Sequence, residues 1–214
     1  MKTIKNLKIQ TLSFLITMIG LLCPIVLKAQ ENSKPYFGNI NWQFNAPIGN
    51  DFTNRASGWG ANIEGGYFIT PQIGVGVFIS YSTNHKYLPT ETMATSATST
   101  ITTKQQRSLF QLPFGVNIRY RFMPINYILD PYVSLKLGAE YSQFSSYIST
   151  YNLYNDGWGF YMSPEVGTNI WLSEEKTFGF NVSLYYSFAT NKGHVLNGHA
   201  NQLNNIGFRL GVAF

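Results

Sequence analysis

The feature that most constrains this chain is an alternation of apolar and polar residues with a period of two, repeated eight times between Tyr36 and Phe214. Successive side chains of an extended strand point to opposite faces, so this alternation reads as strands with one apolar and one polar face. The first run sets Tyr36, Ile40, Trp42 and Phe44 against Asn39, Asn41, Gln43 and Asn45. The seventh is the most regular, with Phe178, Phe180, Val182, Leu184, Tyr186 and Phe188 opposite Gly179, Asn181, Ser183, Tyr185 and Ser187. Comparable runs begin near Trp59, Ile73, Phe110, Val133, Trp158 and Ile206.

Alternation alone does not say which face is inside, but charge placement does. Of the 21 charged residues from position 30 onward, seven fall on the polar strand face: Glu64, Arg119, Arg121, Lys136, Glu140, Glu165 and Arg209. The other fourteen are read in connections or in the N-terminal arm, and none on the apolar face. A water-washed face would carry more charge. The apolar face instead gathers Trp59, Tyr81, Tyr141, Trp158 and Tyr186 near one end and Tyr67, Phe122, Phe178 and Phe214 near the other. Aromatic girdles bounding an aliphatic band fit a bilayer-facing surface. Connections alternate in length as well. Thr70 to Gln72, Met123 to Asp130 and Ser173 to Lys176 are short, whereas the longest of the others runs from Thr83 to Arg107. In outer-membrane barrels short turns face the periplasm and long loops face outward.

Composition agrees. Only 12% of residues are charged while 16% are aromatic, against about a quarter charged in soluble domains. The net charge of +5 does not indicate nucleic-acid binding, because Lys2, Lys5, Lys8 and Lys28 precede residue 30 and leave eleven bases against ten acids after it. The single cysteine, Cys23, excludes a disulfide. Lys2, Lys5 and Lys8 precede an apolar stretch from Leu12 to Leu27 that ends at Lys28-Ala29. This is the layout of a secretory signal peptide, residues 1–29, cleaved after Ala29. Thr17, Gly20 and Pro24 interrupt the stretch and argue against an uncleaved anchor.

With these features the chain resembles the small eight-stranded outer-membrane barrels, the OmpA/OmpX-like group and the related outer-membrane β-barrel domain common in Bacteroidota. The likeness rests on the signal peptide, the strand alternation and the aromatic terminal residue Phe214. Asn205, Gly207, Leu210 and Val212 match the family's C-terminal assembly signal, displaced two residues inward by Ala213 and Phe214. The resemblance implies an all-β, antiparallel up-and-down transmembrane barrel over residues 30–214. It also implies outer-membrane lipid as surroundings, with insertion by the barrel-assembly machinery after delivery by periplasmic chaperones.

Eight strands leave an interior about wide enough for side chains to fill. Parity sends Phe68, Phe78, Tyr132, Tyr161 and Tyr185 into it together with the seven ionisable groups. Buried charges must pair. The candidate pairs are Arg119 or Arg121 with Glu140, and Glu165 with Lys136 or with a base across the lumen, so Glu140→Ala is expected to strand a cation. His85, His194 and His199 fall in long loops and read as solvated, not as metal ligands or catalytic bases. No cofactor, metal or catalytic residue is expected. The threonine-rich segment at Thr90, Thr92, Thr95, Thr98, Thr100, Thr102 and Thr103 reads as a flexible loop. Its alternative is a β-protrusion able to bind an extracellular protein by strand addition. The functional expectation is surface interaction or envelope integrity through the outer loops, with a small-solute channel and a lipid-modifying enzyme as the alternatives.

Overall fold

Each alternating run forms a strand, and the strands close on themselves. The computed structural model describes residues 35–50, 52–96, 99–122, 128–148, 151–195 and 198–214. The leader with its cleavage point, Thr98 and the Met123 to Tyr127 part of one turn lie outside the described residues. The elements are β1 (Tyr36–Pro47), β2 (Gly60–Phe68), β3 (Ile73–Ser96), β4 (Ser99–Arg121), β5 (Leu129–Ile148), β6 (Tyr151–Trp171), β7 (Gly179–Ala189), β8 (Gly193–Val195), β9 (Gly198–Ala200) and β10 (Leu203–Ala213). Eight of them form a closed antiparallel barrel in the order β1-β10-β7-β6-β5-β4-β3-β2, and β8 pairs with β9 as a separate hairpin. Closure leaves no unpaired sheet edge within the bilayer, where an unmet N–H or C=O costs several kcal/mol.

The seam joins the two ends of the barrel chain. β1 and β10 pair from Asn39↔Ala213 to Pro47↔Asn205. Gly38 and Phe214 then exchange backbone hydrogen bonds of 3.0 Å in both directions. The Phe214 ring lies 3.0 Å from where a Cβ on Gly38 would be, so the terminal aromatic covers the end of the seam. Across it Phe44 stacks on Phe208 at 5.1 Å and Trp42 meets Phe208 edge to face at 5.8 Å.

The two faces separate as the alternation requires. In β1, residues 37, 39, 41, 43 and 45 are buried, whereas Tyr36, Ile40 and Trp42 are exposed. In β7 the buried and exposed residues alternate almost without a break. The girdle residues Trp59 and Trp158 at one end, and Tyr67 and Phe178 at the other, are among the exposed apolar side chains. One row across the wall explains a pair of glycines. Phe78 pairs with Gly115, Gly115 with Gly138, and Gly138 with Tyr161. The two rings that flank these glycines meet inside at a centroid distance of 5.8 Å, and a Cβ on Gly138 would come within 2.0 Å of the Phe114 carbonyl oxygen.

The segment from Thr83 to Arg107 corrects the flexible-loop reading. β3 and β4 continue as one ladder from Thr83↔Phe110 to Ser96↔Ser99, with irregularities between Leu88 and Glu91 and between Ala94 and Ser96. Threonines favour the extended backbone, and Pro89, which has no N–H to give, falls at the first irregularity. β5 and β6 lengthen beside them as far as Ile148↔Tyr151. Four strands therefore rise past the rim at which β2 stops pairing with β3, Gly60↔Ser82. The 14 residue-to-residue steps from Ser82 to Ser96 correspond to about 45 Å of strand. Arg107 and Asp130, both read as connection residues, are instead buried strand residues of β4 and β5.

Candidate functional site

The lumen is the site the chain builds, and the seven ionisable residues all lie buried in it. Its middle layer is a chain of carboxylates and bases. Glu64 meets Arg119, and its other oxygen lies 2.8 Å from Lys136 Nζ. Lys136 Nζ also lies 2.7 Å from Glu165, which in turn meets Arg209. Asn39 and Asn117 donate to Glu64 at 2.8 and 3.1 Å, and Tyr132 donates to Glu165 at 2.9 Å. The bases also rest on rings. Arg119 is sandwiched between Phe37 and Tyr132, its Cζ 4.3 and 3.9 Å from their centroids, and Arg209 lies 3.9 Å from Tyr185. In a space screened from water each such contact strengthens.

The register separates two of the candidate pairs. Arg119 pairs with Ser134 and Pro113 with Glu140, so Arg119 and Glu140 stand six strand residues apart, about 20 Å. That distance exceeds the reach of both side chains. Arg121, one step further toward the turn end, approaches Asp130 at 3.6 Å. Glu140 has no base within ion-pair distance among the described residues, and accepts a hydrogen bond from Gln111 Nε2 at 3.0 Å. Glu165 lies with both Lys136 and the cross-lumen base Arg209. Asp130 was legible in principle, because it shares the parity of Tyr132, Ser134 and Lys136 in one strand.

The loop end is closed by an apolar plug that periodicity did not reveal. Phe52 from the β1–β2 connection and Val195 and Ala200 from the β8–β9 hairpin pack with Leu109, Phe144 and Leu203 of the wall. Phe52 and Phe144 meet edge to face at 5.1 Å, and the Arg107 guanidinium lies 5.5 Å from the Phe52 centroid. Phe52 donates its N–H to Asn50 Oδ1 at 2.9 Å, a local turn that aims the ring inward. His194 and His199 face each other across the hairpin, exposed, and His85 pairs with Ser108 in the β3–β4 ladder. Among the described residues no group of three metal-ligating side chains assembles. Of the assembly-signal positions, Asn205 points into the lumen, Leu210 and Phe214 point outward, and Gly207 and Val212 are half-buried in the closing strand.

A closed eight-stranded barrel with an apolar exterior, girdled ends and a packed ionic lumen defines a small outer-membrane β-barrel. The chain belongs to the outer membrane protein beta-barrel domain family, whose pattern matches residues 14–214. Neisserial surface protein A (NspA) shares the fold at a TM-score of 0.56 and 11% identity, over 86% of this chain and 98% of that one. Ail, the attachment invasion locus protein of Yersinia pestis, solved with the heparin analogue sucrose octasulfate, aligns at 0.43 and 12% identity over 85% and 100%. The outer membrane protease OmpT from Escherichia coli aligns at 0.44 and 12% identity over 72% and 62%. No curated protein matches the chain in sequence.

Proposed function

We propose that the protein, exported by a leader of residues 1–29 and inserted by the barrel-assembly machinery after chaperone delivery, is a non-enzymatic surface-interaction protein. Its barrel is an anchor and its raised β3–β6 sheet is the working surface. The observation that carries this reading is the pairing of a stoppered lumen with a sheet that leaves the rim. The wall end where solute would enter is packed by Phe52, Phe144 and Leu203, each at most 1% exposed. The raised sheet, in contrast, presents Tyr87, Tyr147 and Tyr154 with 45–62% of their surface exposed. Tyr87 and Tyr147 are both register partners of Gln106 and share one face. Exposed aromatics on a rigid sheet are suited to contact with a partner, since little side-chain freedom is lost on binding. The lumen ion pairs act in stability and closure. Asn205, Gly207, Leu210, Val212 and Phe214 serve assembly in this reading.

The test replaces Tyr87, Tyr147 and Tyr154 together with alanine and compares whole-cell binding to extracellular matrix components. The triple variant is expected to refold and to lose binding. Unchanged binding refutes the sheet as the working surface, and large, stable currents from the intact barrel in planar bilayers would restore the channel reading.

A further inference from the structure

The turn end of the lumen holds a pocket that neither the adhesive reading nor the ion-pair chain uses. It is lined by Phe37, Phe68, Arg119, Arg121, Asp130 and Trp171, with Lys176 at its edge. Its volume is about 20 Å³, room for one water-sized species or for a carboxylate group entering from the open mouth. Four polar atoms of its lining residues have no hydrogen-bond partner among the described residues: the donors Arg119 Nε, Arg119 Nη1 and Trp171 Nε1, and the acceptor Asp130 Oδ1. Arg119 and Trp171 are 1% and 8% exposed, so bulk water does not meet their needs. Unmet buried donors are rare and ask for an explanation.

The charge count points the same way. The pocket lining holds three bases, Arg119, Arg121 and Lys176, against one acid, Asp130. With Glu64 set against Arg119, one positive charge is left over. At the mouth the single charge of Asp130 is shared between Arg121, 3.6 Å away, and Lys176, 3.9 Å away, so it cannot neutralise both. Glu174 and Glu175 of the same turn are solvent-exposed and do not line the pocket.

We propose that this pocket binds one small monovalent anion, a halide or the carboxylate of a small acid, held by Arg119, Trp171 Nε1 and the field of Arg121 and Lys176. The site needs no change in the barrel wall. Arg119 keeps its Nη2 on Glu64 and offers one of its two unpartnered nitrogens, Nη1 or Nε, which lie on opposite sides of the guanidinium, to the anion. Binding ties the turn mouth together, because its donors come from β4 and β6 and its field from β4 and the β6–β7 turn.

The experiment uses the mature barrel refolded in zwitterionic detergent, titrated with sodium bromide against sodium gluconate at constant ionic strength. Trp171 emission is isolated by subtracting the response of Trp171→Phe. A saturable change is expected. Lys176→Gln, on an exposed turn, weakens it about tenfold through loss of one nearby charge, as does Arg121→Gln if it folds. Asp130→Asn tightens it, because a competing negative charge is gone. Competition by chloride or by acetate supports the site and tells halide from carboxylate. A linear response, indifference to Lys176→Gln, weaker binding in Asp130→Asn, or competition by neither anion overturns it.

Discussion

Glu165→Gln is the sharpest probe of the lumen. The substitution keeps shape and removes one charge from the group that meets Lys136, Arg209 and the Tyr132 hydroxyl. Lys136 retains Glu64 at 2.8 Å. Arg209, fully buried, retains the Gln43 Oε1 acceptor at 2.8 Å and the Tyr185 ring, but no carboxylate. Stranding a buried charge costs about 3–5 kcal/mol. The amide still accepts from one donor, so the expected loss is about 3 kcal/mol, at the lower end of that range. Glu140→Gln is the matched control. Glu140 is equally buried but has a single amide donor, Gln111, and a glutamine can preserve that bond, so the cost is below about 1 kcal/mol. This reverses the expectation that Glu140 neutralises a base. Urea unfolding in phosphocholine vesicles, followed by tryptophan emission and by heat-modifiable gel migration, reads both variants. A loss under about 1 kcal/mol for Glu165→Gln, or equal losses for the two, would refute the claim that the network and not mere burial stabilises the lumen.

Gly138→Val should prevent refolding, because its Cβ would lie 2.0 Å from the Phe114 carbonyl oxygen across the ladder. Gel migration after dilution from urea checks this. Phe144→Ala, at the centre of the plug, should cost about 3–5 kcal/mol yet leave the barrel non-conducting, since the ion-pair layer below remains closed. Bilayer recording on the variant tests both halves. Trypsin added to whole cells should spare Arg107, which is buried in β4, and Lys176 at the opposite end of the barrel. Mass spectrometry of the fragments decides, and cutting at Lys176 in intact cells would invert the orientation.

The strands, their faces and the class are legible in the order of the amino acids alone. A period of two needs no partner to be read, and the absence of charge from one face identifies the solvent that face meets. Hence Phe68, Phe78, Tyr132, Tyr161 and Tyr185 all fall inside as parity requires. The tertiary structure alone decided which charge meets which, because register depends on how turns and strand tilt offset neighbours. A shift of one residue changes every cross-lumen distance. That is why Arg119 lies on Glu64 and not on Glu140. The plug was likewise illegible, since Phe52, Val195 and Ala200 come from connections whose inward fold follows from the space left by the wall, not from any local pattern. The raised β3–β6 sheet lies between these cases: its threonines favour strand locally, but only the added ladders of β5 and β6 beside it make the extension a sheet.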